Sequence, residues 1–292
     1  MRVCRFDNQR LGVVIEDRVH DVTNVLDGLP PLRWPVPHGD HLVRHFEELR
    51  PAIVAAAARS ESVPISTVRL LSPVANPSKI IAAPANYAKH VAEARADAGI
   101  NFGADIKTID YYGLFLKSNT SLVGPSEGIR LPRGDKRIDH EVEIVVIIGS
   151  ECEDVPERDA LDVVFGYCLG LDMSIRGTED RSWRKSFDSF TVFGPYVVTS
   201  EEAGNPSDIR MSLTVNGTLR QAASTSALIF GIPKLVAYAS AAYRLFPGDV
   251  IMTGTPEGVA PVGPGDVMIA RADGFGEMTV RVGIRGEQER AA

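Results

Sequence analysis

Several things are scarce in these 292 residues, and each scarcity removes a class of function. Cysteine occurs only at positions 4, 152 and 168. Three cysteines without metal-ligand spacing build neither a disulfide framework nor a zinc site. Cys168, inside the apolar VVFGYCLGLD, reads as a small core residue. No run is long and apolar enough for a transmembrane helix, and the opening MRVCRFDNQR is too polar for a signal peptide. The expected setting is a reducing, cytoplasmic compartment with no membrane partner. Positive charge is in deficit: 31 Lys and Arg against 38 Asp and Glu give a net charge of −7. That balance speaks against nucleic acid or an anionic bilayer as a partner. There is no G-x-S-x-G elbow and no Walker loop, and VGPGD lacks the strand-to-helix setting of a dinucleotide site. Internal repeats and low-complexity tracts are also missing.

What is present reads as an ordinary globular chain, 44% hydrophobic and 24% charged. Residues 1–22 suggest short strands, MRVCRF and LGVVIED, joined by DNQR and followed by RVHDVT. A Pro-rich patch follows (LPPLRWPVPHGD), then helical character from His41 to Arg59, broken or kinked at Pro51. His20, His38, His41 and His45 lie here without acids at matching spacings and read as surface or structural residues. Two prolines in SPVANPSK mark a boundary, giving a small β-containing unit over 1–72 and a second domain over 73–292. The second is strand-rich, with KIIAAP, YGLFLKS, EIVVIIG, GYCLGLD, GPYVVTS, IRMSLTV, TLRQA, DVIMTG and MTVRVG. Asn216-Gly217 between alternating runs predicts a hairpin, and IPKLVAYASAAYRLF a helix with Pro233 in its first turn. The fold class is α/β, mixed and rich in β, without a βαβ succession.

One stretch raises a chemical question. HEVEIVVIIG, residues 140–149, places Glu141 and Glu143 at the head of a continuous β-branched run, the mark of a strand buried on both faces. Residues two apart on a strand share a face, so both acids aim at one spot. Buried carboxylates need a positive partner. Asp172 ends a second apolar run, and three carboxylates without Cys or His beside them suit a hard divalent cation. An edge strand with exposed acids and a turn Asp has the same spacing. His140 falls on the opposite face and is not counted as a ligand.

Elsewhere, ANYAKHVAEARADAG reads as a helix that Asn86 can cap, with His90 and Glu93 three apart on one face. A carboxylate beside an imidazole makes a general base for water, though an ordinary exposed pair looks the same. RGTEDRSWRKSFDSF brings Arg176, Arg181, Arg184 and Lys185 shortly after Asp172. These cations could hold an anionic carboxylate or stabilise an enolate, or simply form a solvated loop. VIMTGTPEGV runs a strand into a turn where the Thr255 hydroxyl and backbone N–H groups could bind a carboxylate.

Taken in order, NYAKH, LFLKSNTSL, HEVEIVVIIG, GYCLGLDMSIR, RKSFDSF, IFGIPKLVAY and PGDVIMTGTPEGV resemble the fumarylacetoacetate hydrolase family, from about residue 78 to 284. The resemblance is to its acylpyruvase-like branch with an added N-terminal domain. It implies a β-roll catalytic domain, a homodimer, and Mg²⁺ or Mn²⁺ held by Glu141, Glu143 and Asp172. It further implies Lys185 as the lysine facing the developing charge, Thr255, Arg176 and Lys117 as substrate-side residues, and His90 with Glu93 as the pair that activates water. The substrate would be a small anionic oxo acid. The expected reaction is hydrolysis of the C–C bond in a 1,3-diketo acid. Decarboxylation of an oxaloacetate-like acid, and hydration or isomerisation of 2-oxo-enoic or dienol acids in aromatic catabolism, use the same scaffold.

Two positions depart from the family pattern. Lys89 stands where many members carry an acid. Glu179 stands where some carry glutamine, and an acid there is expected to disfavour a second substrate carboxylate. Residues 94–112 are expected to form a lid that sets tail specificity.

Overall fold

A computed structural model describes residues 1–286. Its centre is the strand Val142–Ile148, every residue of which is buried. A strand with both faces covered favours β-branched side chains throughout, which is what EIVVIIG supplies. It pairs antiparallel with Val164–Asp172 on one side, Glu143 opposite Gly170, and with Val250–Met252 on the other, Val145 opposite Met252. Gly170 is needed there, because a Cβ would lie 2.5 Å from the Val145 side chain. The sheet continues through Ile80–Ala82 to Phe115–Lys117 at one edge and through Thr191–Thr199 toward the N-terminal strands at the other.

Residues 1–72 join that sheet directly: Arg2–Phe6 runs antiparallel to Thr191–Thr199, with Arg2 opposite Val198. They also build an apolar cluster of their own, in which Val3, Leu11 and Val13 meet Phe46, Leu49 and Ile53 from the helix Phe46–Ala57. Pro51 sits inside that helix without ending it; the break falls earlier, at His45, after the short turn His41–Arg44. Asp40 fixes this corner. Its Oδ1 accepts from the N–H groups of Leu42 and Val43, and its Oδ2 from those of Ala75 and Asn76.

A second sheet carries the predicted hairpin. Arg210–Val215 and Thr218–Ser224 pair across Asn216-Gly217, whose positive φ values (50° and 78°) are those of the tight turn that Asn-Gly favours. Val267–Ala272, Gly276–Ile284 and Ile129–Leu131 complete it. The helix predicted from Ile232 stops at Ala242 rather than running on to Phe246. Tyr243 is already extended, and Leu245 forms a bridge with Cys152 instead. The chain is therefore mixed α/β and β-rich, with several sheets. Among the described residues no helix is long and apolar enough to cross a membrane.

Candidate active site

Glu141 and Glu143 project from the head of the central strand, and Asp172 from the end of its neighbour. The register makes them meet: the Asp172 N–H donates to Glu141 O, and one carboxylate oxygen from each of the three acids lies within 4.8 Å of the others. All three are buried. Among the described residues this is the one group of three or more His, Cys, Asp or Glu spaced to hold an ion. The N-terminal histidines form no such cluster; His20 faces Ala57 O, His41 faces Pro30 O and His45 faces Glu48.

The acids are unequally compensated. Lys185 Nζ donates to Glu141 Oε2 (2.6 Å), Asp172 Oδ2 (2.6 Å) and Ser174 Oγ (2.5 Å), so all three of its donors are taken. Arg176 reaches Glu141 Oε1 at 2.7 Å. Burial alone would raise the Glu141 carboxyl, but Lys185 and Arg176 outweigh it and hold it below the usual carboxylate range. Lys117 has no exposed side-chain surface and donates to Asp172 Oδ1 and Phe190 O; burial pulls its pKa down against the attraction of Asp172. Glu143 has only the Gly254 N–H, at 2.7 Å. Burial, with Asp172 close by, pushes its pKa well above the ordinary value. A buried carboxylate short of positive charge, converging with two others, is a donor set a divalent cation fits.

Across the same cavity stands His90, on the helix Ala88–Ala96. Its Nδ1 lies 3.0 Å from Glu93 Oε2, and Glu93 Oε1 accepts from the Gly258 N–H at 2.9 Å. A carboxylate facing Nδ1 places the proton there and leaves Nε2 as the basic nitrogen. The cavity, with a volume of about 100 Å³, is lined by the acid trio, His90, Arg176, Lys185 and Thr255, and also by Ile100, Ile106 and Tyr112 from the segment 94–112.

Some expectations are revised by these contacts. Asn86 does not cap the helix; Tyr87 precedes it without a side-chain cap. Asn86 is fully buried and ties three segments together, donating to Phe230 O and Thr253 O and accepting from Phe230 N–H. Asn86→Ala strands those groups, so denaturant unfolding should show a loss of about 2–3 kcal/mol; an unchanged midpoint would contradict this role. The Thr255 hydroxyl, at the cavity lining, donates to Val142 O and accepts from Gln221 Nε2. Lys117 holds Asp172 from behind and does not line the cavity. Lys89 is exposed and pairs with Glu257. Glu179 is bound by Lys136 and lies outside the cavity, so it does not oppose an anionic tail.

Sequence reasoning passed over Gln221 and Asp139. Gln221 joins His140, the Val142 N–H, Thr255 and Pro256 O. Asp139, fully buried, receives both Arg176 and Arg137.

The sequence and the fold have known counterparts. Residues 79–283 match the family described as fumarylacetoacetate (FAA) hydrolase, C-terminal. The chain belongs to the fumarylacetoacetate hydrolase family. A maleylpyruvate hydrolase from Aquipseudomonas alcaligenes is 49% identical over 284 residues, covering 97% of this chain and 99% of that one. The solved maleylpyruvate hydrolase of Sphingobium sp. SYK-6, in complex with manganese(II) and pyruvate, is 41% identical; the match covers 97% of this chain and 99% of the other with a TM-score of 0.82. A 5-carboxymethyl-2-hydroxymuconate delta-isomerase from Mycobacterium smegmatis shares the fold more distantly, at 30% identity and a TM-score of 0.72, over 98% of this chain and all of that one. Family membership thus spans both hydrolase and isomerase chemistry, and the site has to separate them.

Proposed function

We infer that this protein is a divalent-cation-dependent hydrolase that cleaves the C–C bond of a 1,3-diketo acid of the acylpyruvate type. The observation that carries the reading is the pairing, in one cavity, of the Glu141–Glu143–Asp172 cluster with an imidazole oriented by a carboxylate. An isomerase or a decarboxylase needs the cluster but has no water to activate; the His90–Glu93 pair favours hydrolysis.

Glu141, Glu143 and Asp172 would hold the cation, Mg²⁺ or Mn²⁺. When bound, it supplies Lewis acidity toward the substrate's carboxylate and oxo oxygens. His90 Nε2 takes a proton from water, and the hydroxide adds to the distal carbonyl. Glu93 keeps the ring in the tautomer this requires and steadies the imidazolium that forms. The bond between the acyl carbon and the methylene then breaks. Its electron pair passes into the pyruvate fragment as an enolate, and the proton held at His90 returns to that carbon. Lys185, beside the acids, lowers the energy of the negative oxygen by its charge. Arg176, fixed by Asp139, keeps Glu141 in place. The segment 94–112, which contributes Ala94, Ile100, Ile106 and Tyr112 to the cavity lining, would act as a lid that keeps bulk water out.

The family resemblance and the exposed Leu32, Trp34 and Val36 support a homodimer, for which light scattering is the check. The free thiols at Cys4, Cys152 and Cys168 support a reducing, cytoplasmic setting.

Product analysis on acetylpyruvate and oxaloacetate, with Mg²⁺ or Mn²⁺ and with EDTA, tests the reaction. Acetate plus pyruvate from the first, abolished by EDTA, is the expected result. Pyruvate from oxaloacetate alone would replace the hydrolase reading with a decarboxylase.

A further inference from the structure

A line of alternating charges runs from the segment 94–112 to the acid cluster, and the chemistry above uses only its inner end. Glu141 Oε1 accepts from Arg176 Nη2 at 2.7 Å, and Arg176 Nε donates to Asp139 Oδ2 at 2.8 Å. Asp139, fully buried, is forked from the other side by Arg137, whose Nε and Nη2 reach its two oxygens at 2.7 Å and 2.9 Å. The remaining Arg137 Nη1 donates to Asp97 Oδ2 at 2.8 Å. Asp97, Arg137, Asp139, Arg176 and Glu141 are thus joined end to end, from a half-buried residue of the segment to a buried member of the acid cluster.

Asp97 is placed to govern the segment. Its Oδ1 accepts from the Gly99 N–H at 2.8 Å and caps the short turn Ala98–Asn101, so both carboxylate oxygens are used. Ala94 and Ile100, three residues to either side, line the cavity. Gly99 leaves the approach open, since a Cβ there would lie 2.9 Å from Arg137 Nη1. Other side-chain bonds of the segment turn inward: Arg95 donates to Ile106 O, Asn101 to Ala94 O and Arg95 O, and Lys107 to Asp105. The Asp97–Arg137 pair spans 40 residues of sequence and ties the segment to the body of the protein.

We propose that Arg137 is a positioning residue that couples the segment 94–112 to Glu141, so that a divalent cation in the acid cluster tightens the Asp97 contact and draws the segment over the cavity. The sign follows from sharing, because each charge in the line is divided between two neighbours. A cation claims part of Glu141, and Arg176 leans further on Asp139. Asp139 then gives up part of its hold on Arg137, which turns more of its charge to Asp97. The coupling is reciprocal: holding the segment at Asp97 raises the affinity for the cation by the same factor. This assignment rests on the cation-dependent reading and adds the means by which loading the site closes it.

Asp97→Asn separates the latch from the cap, because asparagine still accepts from the Gly99 N–H but offers Arg137 no charge. Hydrogen exchange is read for wild type and variant, each with and without Mn²⁺. In the wild type Mn²⁺ should slow exchange of the amides in 98–112 by about fivefold. In Asp97→Asn that slowing should be lost and the Kd for Mn²⁺ should rise by about fivefold, while without Mn²⁺ the strand Val142–Ile148 exchanges alike in both. Arg137→Lys should match it, since a single ammonium can stay on Asp139 but cannot fork to Asp97 as well, and the double variant should be no worse than either. Equal slowing in wild type and Asp97→Asn, or none in a wild type that binds Mn²⁺, would overturn the coupling. A wild type whose Tm does not respond to Mn²⁺ is a different outcome: it overturns the cation-dependent reading and takes this proposal with it.

Discussion

Glu143→Gln is expected to lower turnover of an acylpyruvate by on the order of 10³-fold while leaving the metal-free fold as stable as before or slightly more so. Of the three acids it is the least compensated, with one backbone N–H as partner and a pKa pushed well up by burial and by Asp172. Glutamine keeps the shape and still accepts from Gly254, but it removes one of three charges from the cation site. Thermal unfolding with and without Mn²⁺ separates the two effects: the wild type should gain stability from the ion and the variant should not. Asp172→Ala is the less informative choice. It leaves Lys117, wholly buried, without its carboxylate and takes one of two acids from Lys185, for a loss of about 3–5 kcal/mol. A Glu143→Gln enzyme with wild-type turnover, still inhibited by EDTA, would exclude Glu143 as a ligand.

The second large effect concerns water. His90→Ala should reduce hydrolysis of acetylpyruvate by roughly 10²–10⁴-fold, the range associated with losing a positioned general base. Any decarboxylation of oxaloacetate, which consumes no activated water, should fall less than about tenfold, because the acid cluster and Lys185 do not depend on His90. Glu93 remains anchored to Gly258, so the helix should stay in place and stability should change little. Glu93→Gln gives a graded version: the imidazole keeps a partner but loses the charge that steadies its protonated form. Parallel loss of both reactions in His90→Ala would mean that His90 shapes the cavity rather than activating water.

The parts of this site that were legible in the sequence are those set by local periodicity. Glu141 and Glu143 are two apart on an unbroken β-branched strand, and that spacing aimed them at one point. Asp172 ends an apolar run that pairs with the same strand. His90 and Glu93 are three apart on a helix, and Asn216-Gly217 carries its own turn. The rest depends on pairings between distant segments, which no local pattern encodes. Lys117 reads as a cavity residue until the strand Phe115–Lys117 is seen to place it behind Asp172, 55 residues away in sequence. Asn86 has the chemistry of a helix cap, and tertiary contacts to Phe230 and Thr253 claimed it instead. Glu179 differs most from expectation. It lies just before the short helix Arg181–Arg184, where spacing does not say which side chain faces inward; Arg181 lines the cavity and Glu179 pairs with Lys136 instead.

The turn Thr253–Gly258 touches both halves of the chemistry. Gly254 N–H is bonded to Glu143 and Gly258 N–H to Glu93, so one short loop sets the gauge between the acid cluster and the His90–Glu93 pair. Gly258 has φ of 95°, and a Cβ there would meet Arg220 O at 2.0 Å, which leaves the loop little freedom to drift. Lengthening it by a single residue would put the two halves out of step while each stayed intact. On the proposed reading, slackening the Glu93 end would loosen the hold on His90 and leave the acid cluster standing, so edits to a single loop and the helix it tethers would alter one half of the site without the other.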